Sequence, residues 1–153
     1  MNNFKLGLII IIVFLAFSIN CKQAFASNWI FFASDSTYGN QYFYDADSIK
    51  HISQNIIEVN YRELYSESGK SSYISILKSH NISTYGYDLL LYTIVYLKLD
   101  LKNNLIMITS FTDYNKNGDI LYLDSIDNPT WDYVQEGTIG RLLIESIKNN
   151  QNK

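Results

Sequence analysis

Acid–base or nucleophilic chemistry needs side chains that change protonation near neutral pH, and this sequence holds few of them. His51 and His80 are its two histidines, and they share no metal-binding spacing such as His-x-x-x-His. The single cysteine, Cys21, falls in an N-terminal stretch that reads as a leader. No Gly-x-Ser-x-Gly elbow, P-loop or dinucleotide fingerprint is present. Carboxylates are plentiful, so an enzyme built on a carboxylate pair is one reading, but no spacing singles out a pair. The residues point to no catalytic set, no cofactor and no metal, and the expectation is a non-enzymatic chain.

One segment matches a metal motif in part. Asp113-Tyr-Asn115-Lys-Asn117-Gly118-Asp119-Ile120 follows the opening of an EF-hand calcium loop, with Asp124 at the twelfth position. An EF-hand needs flanking helices and a bidentate Glu at that twelfth position. Here the flanks alternate like strands and the residue is the shorter Asp. A hairpin turned at Asn117-Gly118, with both residues at positive φ in a type I′ turn, accounts for the same residues without calcium. The tyrosines are the other candidates, since aromatic rings with a polar tip are enriched at binding surfaces. Tyr38, Tyr42, Tyr44, Tyr61, Tyr65, Tyr92, Tyr96, Tyr114, Tyr122 and Tyr133 lie on or beside strands. Ordinary cross-strand packing explains most of them.

The elements that would position these residues are short strands. Asn28–Ser34 and Gln41–Tyr44 read as a hairpin, and Asp45 can cap a helical turn over Asp45–Lys50. Ile57–Arg62 alternates apolar and polar, the period of a half-buried strand. Ser66–Lys70 reads as a loop, and Ser71–Gly86 as an irregular excursion with some strand. Leu89–Leu99 is apolar on both faces, with Leu91, Val95, Leu97 and Leu99 on one and Leu90, Tyr92, Ile94 and Tyr96 on the other. Such a strand is central, or has its second face covered by a helix or a partner. That second face is the best candidate for a sticky surface. Leu105–Tyr114 and Ile120–Leu123 are further strands. Thr138 caps a last helix whose apolar stripe is Ile139, Leu142, Leu143 and Ile147. The fold expected is α+β: an antiparallel sheet of five or six strands packed against one C-terminal helix.

The first 26 residues have the three parts of an export signal: Lys5, an apolar run from Leu6 to Ile19, and the small-x-small site Ala24-Phe25-Ala26. The run is too short to span a bilayer. The expected organisation is a signal peptide over 1–26, one domain over 27–148, and a polar tail over 149–153. Cleavage removes Lys5 and Lys22 and leaves the chain more acidic than the net −3 of the whole sequence. An acidic chain without a basic stripe is a poor partner for nucleic acid or anionic lipid. Its expected location is the periplasm, the cell surface or the exterior, with no membrane insertion after cleavage.

Two blocks carry a family resemblance. They are Tyr42-Phe43-Tyr44-Asp45-Ala46-Asp47-Ser48-Ile49 and Trp131-Asp132-Tyr133-Val134 followed by Gly137-Thr138-Ile139-Gly140. With Trp29, the Ile57–Arg62 strand and Asp100-Leu101-Lys102, they make the chain resemble the surface-adhesin protein E family of small exported bacterial domains. The resemblance implies an antiparallel sheet with a C-terminal helix, binding to a protein partner or host surface component, and possible pairing into a homodimer. It also implies a disulfide between the strand end and the helix, where this chain has Leu101 and Ile147. An apolar contact between those two residues is expected in its place. The alternative function is a periplasmic structural or accessory module that binds an envelope partner or a small ligand.

Overall fold

The computed structural model describes residues 27–151, so the export signal and Cys21 lie outside the described residues. The strands are β1 (Trp29–Ser34), β2 (Gln41–Asp45), β3 (Lys50–His51), β4 (Ile56–Leu64), β5 (Leu90–Asp100), β6 (Leu105–Asn115), β7 (Ile120–Ser125) and β8 (Asp132–Tyr133). The helices are α1 (Glu67–Ser79) and α2 (Ile139–Gln151). The main sheet runs β1-β2-β4-β5-β6-β7, with β3 added to β4 and β8 to β6. Every pairing is antiparallel. The expected α+β architecture with a C-terminal helix is the one observed, with a second helix besides.

Strand alternation divides the side chains between two faces. On one face Ile57 and Val59 of β4, with Val95, Leu97 and Leu99 of β5, are almost fully buried. Leu143, Ile144 and Ile147 of α2 close over them and form the main core. Thr138 caps α2 as expected, its Oγ1 accepting the Arg141 N–H at 3.3 Å. Gly140 is fixed by packing, since a Cβ there would stand 2.8 Å from Val134 Cγ1. That explains the spacing of valine and glycine in the second block. Asp45 caps the 3-10 turn Ala46–Ser48 by accepting the Asp47 N–H at 3.1 Å.

The structure corrects the sequence reading in four places. Ser66–Lys70 is no loop and Ser71–Gly86 no irregular excursion: Ser66 caps α1, accepting the Gly69 N–H at 3.0 Å, and the helix runs on to Ser79. Five serines and a glycine are poor helix formers, and they masked the Tyr73, Ile74 and Leu77 face. Tertiary packing supplies what propensity lacks, because that face joins a second cluster with Tyr87 and Leu90. Leu91 is not with Val95: a register shift between Leu90 and Tyr92 turns Leu90 inward and leaves Leu91 exposed. At Asn117-Gly118 only Gly118 has positive φ, +85°. The loop is therefore Lys116–Gly118 closed by Asn115 N–H to Asp119 O, a turn ending in a left-handed glycine and not type I′. Finally, α2 continues into the expected polar tail, and Asn150 Nδ2 donates to the Tyr44 hydroxyl at 2.7 Å.

Candidate binding surfaces

Both helices lie on the same side of the sheet, and among the described residues no helix covers the other. The strand registers align one row across that open side: Phe31, Phe43, Arg62, Ile94, Thr112 and Leu123, from β1 to β7. Its two ends, Phe31 and Leu123, are 54% and 59% exposed. Beside it Tyr92 stacks on Tyr114 with ring centroids 4.9 Å apart. The Arg62 guanidinium lies 4.6 Å from the centre of the Trp29 ring and 4.9 Å from that of Phe43. Its Nε is buried and makes no hydrogen bond. Burial lowers its pKa below the usual arginine value. No carboxylate pairs with it among the described residues. The open side therefore offers an unpaired cation framed by aromatic rings, on the strand face singled out from the sequence.

Under α1 the covered side is polar. The registers place Tyr42, Glu63, Thr93, Asp113 and Tyr122 in one row. Asp113 is fully buried. It accepts from Tyr73 OH at 3.1 Å, Tyr87 OH at 2.7 Å and Thr93 Oγ1 at 2.5 Å. Thr93 spends its one proton on Asp113, so the 3.0 Å contact with Tyr65 has the tyrosine as donor. Asp113 thus ties α1 through Tyr73, and the 3-10 turn Tyr87–Leu89 through Tyr87, to the middle of the sheet.

Between α1 and β2 lies a cleft of about 440 Å³ lined by Asp35, Tyr38, Tyr42, Glu63, Tyr65 and Tyr73 among others. Glu63 Oε1 accepts from Asn40 Nδ2 at 2.8 Å and Tyr42 OH at 3.0 Å. Asn40 Oδ1 in turn accepts the Ser66 N–H at 3.0 Å. Gly69 makes this approach possible, because a Cβ there would collide with the Asn40 amide. Gly69→Ala should therefore destabilise the protein by about 1–3 kcal/mol, the usual range for overpacking, despite alanine's better helix propensity. Urea melts of the two proteins check this.

Burial pushes the Glu63 carboxyl above its ordinary value of 4.5. Hydrogen bonds from Asn40 and Tyr42 oppose the rise, and the charges of Asp35 and Asp113 add to it. For a carboxyl raised in the folded state, the favoured form is the protonated one. Its stabilising contribution is complete below the ordinary value and is lost as pH rises through the folded value. Glu63→Gln should then melt above the wild type at neutral pH, with the gap closing on acidification below the ordinary 4.5. Melting curves across that pH window read the difference directly.

The calcium reading fails on the donors. Asp113 points inward to three hydroxyls, and Asn115 Oδ1 accepts the N–H groups of Asn117 and Asp119 at 2.8 and 2.9 Å. Strands β6 and β7 flank the loop where an EF-hand has helices. Among the described residues no group of three His, Cys, Asp or Glu is placed to hold a metal ion. His51 and His80 are both exposed and lie on different elements, β3 and the end of α1. Leu101 packs against the core cluster that contains the fully buried Ile147. The carboxylates that the structure gathers beside the tyrosines, Glu63 and Asp113, stand two apart from neighbouring hydrophobics on strands. Their positions on the buried phase of the alternation are the signal the sequence carried for them.

No protein-family model matches the chain, and no curated protein is significantly similar to it. The chain is similar to protein E. The crystal structure of protein E from non-typeable Haemophilus influenzae superposes with a TM-score of 0.46 at 11% identity, covering 80% of this chain and 77% of that one. The likeness is one of fold.

Proposed function

We propose that this is an exported, non-enzymatic binding domain that engages a protein partner through the open side of its sheet. The observation that supports it is the row from Phe31 to Leu123, whose two ends are exposed and which carries at Arg62 an unpaired guanidinium beside aromatic rings. Exposed apolar patches of this kind mark interaction sites. The single cation on the row sets the chemistry of the partner: a carboxylate flanked by apolar groups would supply the counter-charge that Arg62 lacks. A partner on the host matrix corresponds to the adhesin expectation, and one in the producer's envelope to an accessory role. No helix among the described residues is long and apolar enough to cross a membrane.

Capture from host matrix and from the producer's envelope distinguishes the two sources. Phe31→Glu places a like charge against an acidic partner at an exposed position and should weaken capture at least about tenfold, as loss of a hot-spot contact does. Capture by both proteins alike would remove the open side from the interface.

A further inference from the structure

We propose that the cleft between α1 and β2 binds a small organic cation, a guanidinium or alkylammonium group, held by Glu63 against the stacked rings of Tyr65 and Tyr73. This site is separate from the open side of the sheet and stands or falls independently of it.

Four observations converge on that chemistry. The cleft, of about 440 Å³, is large enough for a small molecule or a long side chain. One wall is the Tyr65–Tyr73 pair, with ring centroids 5.2 Å apart and planes 17° from parallel. Such faces attract cations, and Tyr73 is made more electron-rich by donating its proton to the Asp113 carboxylate. Glu63 receives both of its hydrogen bonds on Oε1, and among the described residues Oε2 receives none. That leaves a carboxylate oxygen free for an N–H donor. Lastly, the negative charge here is uncompensated. The ion pairs of the described residues are Lys70–Glu67, Lys98–Glu58 and Arg141–Glu145, and none reaches Glu63, Asp35 or Asp113. The anion-binding alternative is excluded by the sign of this charge.

The test uses n-butylguanidinium, its neutral isostere n-butylurea and N-acetyl-arginine amide, titrated into the purified protein by calorimetry with tyrosine fluorescence as a second readout. Butylguanidinium should bind and butylurea should not. Glu63→Gln should weaken butylguanidinium at least about tenfold, the scale of a lost charge-assisted hydrogen bond in a sheltered site. Ser72→Arg, on the α1 wall of the cleft, should fill the site with its own guanidinium. It should abolish binding with the fold intact by circular dichroism. Tighter binding of N-acetyl-arginine amide assigns the cation to a partner's arginine side chain, and tighter binding of butylguanidinium to a free small molecule. Equal affinity for butylurea, unchanged affinity in Glu63→Gln, or full binding by Ser72→Arg would each overturn the proposal.

Discussion

Replacing Asp113 by alanine should cost about 3–5 kcal/mol of stability, the range for removing one member of a buried charged network. Three hydroxyls, those of Tyr73, Tyr87 and Thr93, would lose their acceptor at once. Each buried polar group left unpaired costs about 1–3 kcal/mol, and the relief from no longer burying a carboxylate offsets part of the sum. The loss should be local in character, because Asp113 joins α1 and the Tyr87 turn to the sheet while α2 rests on a different cluster. Amide exchange in Glu67–Ser79 should therefore rise further than in Ile139–Gln151. Asp113→Asn keeps an acceptor oxygen and should fall between alanine and wild type. A denaturation midpoint for Asp113→Ala within error of the wild type would refute the assigned role.

Ile147→Ala should be about as damaging, at about 2–5 kcal/mol, since it opens a cavity at a position with no exposed surface. Ile147 sits among Leu143, Ile144, Leu97 and Leu99, with Leu101 packed on the same cluster. Ile147→Val, which removes a single methylene, should cost about 0.5–1.5 kcal/mol. The graded pair separates a packing role from a helix-propensity role, because valine is the poorer helix former of the two replacements. Chemical denaturation of both variants reads the order. A valine variant less stable than the alanine variant would contradict the packing account.

Much of this architecture is legible in the residues. The alternation in Ile57–Arg62, the doubly apolar Leu89–Leu99 and the capped stripe after Thr138 each specify their element through one strong local signal. The apolar character of the second face of Leu89–Leu99 was also legible, in Tyr92, Ile94 and Tyr96. What escaped was set by contacts distant in sequence. Helix α1 is composed of residues that favour caps and turns, and it holds because Tyr73 reaches Asp113 and Leu77 meets Tyr87 and Leu90. Leu91 left its expected face because of a bulge that no periodicity announces. The motif at Asp113–Asp124 is the most instructive case. Its aspartates and asparagines match metal ligands in order, yet Asp113 is spent on three hydroxyls from elsewhere in the chain. Asn115 is spent on its own turn.

The most direct test of the binding role is the affinity of Arg62→Met for whichever partner the wild type captures. Methionine keeps much of the side chain's length and apolar contact with Trp29 and Phe43, and it removes the charge together with a buried Nε that has no hydrogen bond. Replacing such a group with an apolar one is commonly neutral or stabilising, so the melting temperature should hold or rise. Binding should nevertheless weaken at least about tenfold, because the partner's carboxylate loses its counter-charge. Undiminished affinity in a folded Arg62→Met protein would contradict the account and move the interface away from the open side of the sheet.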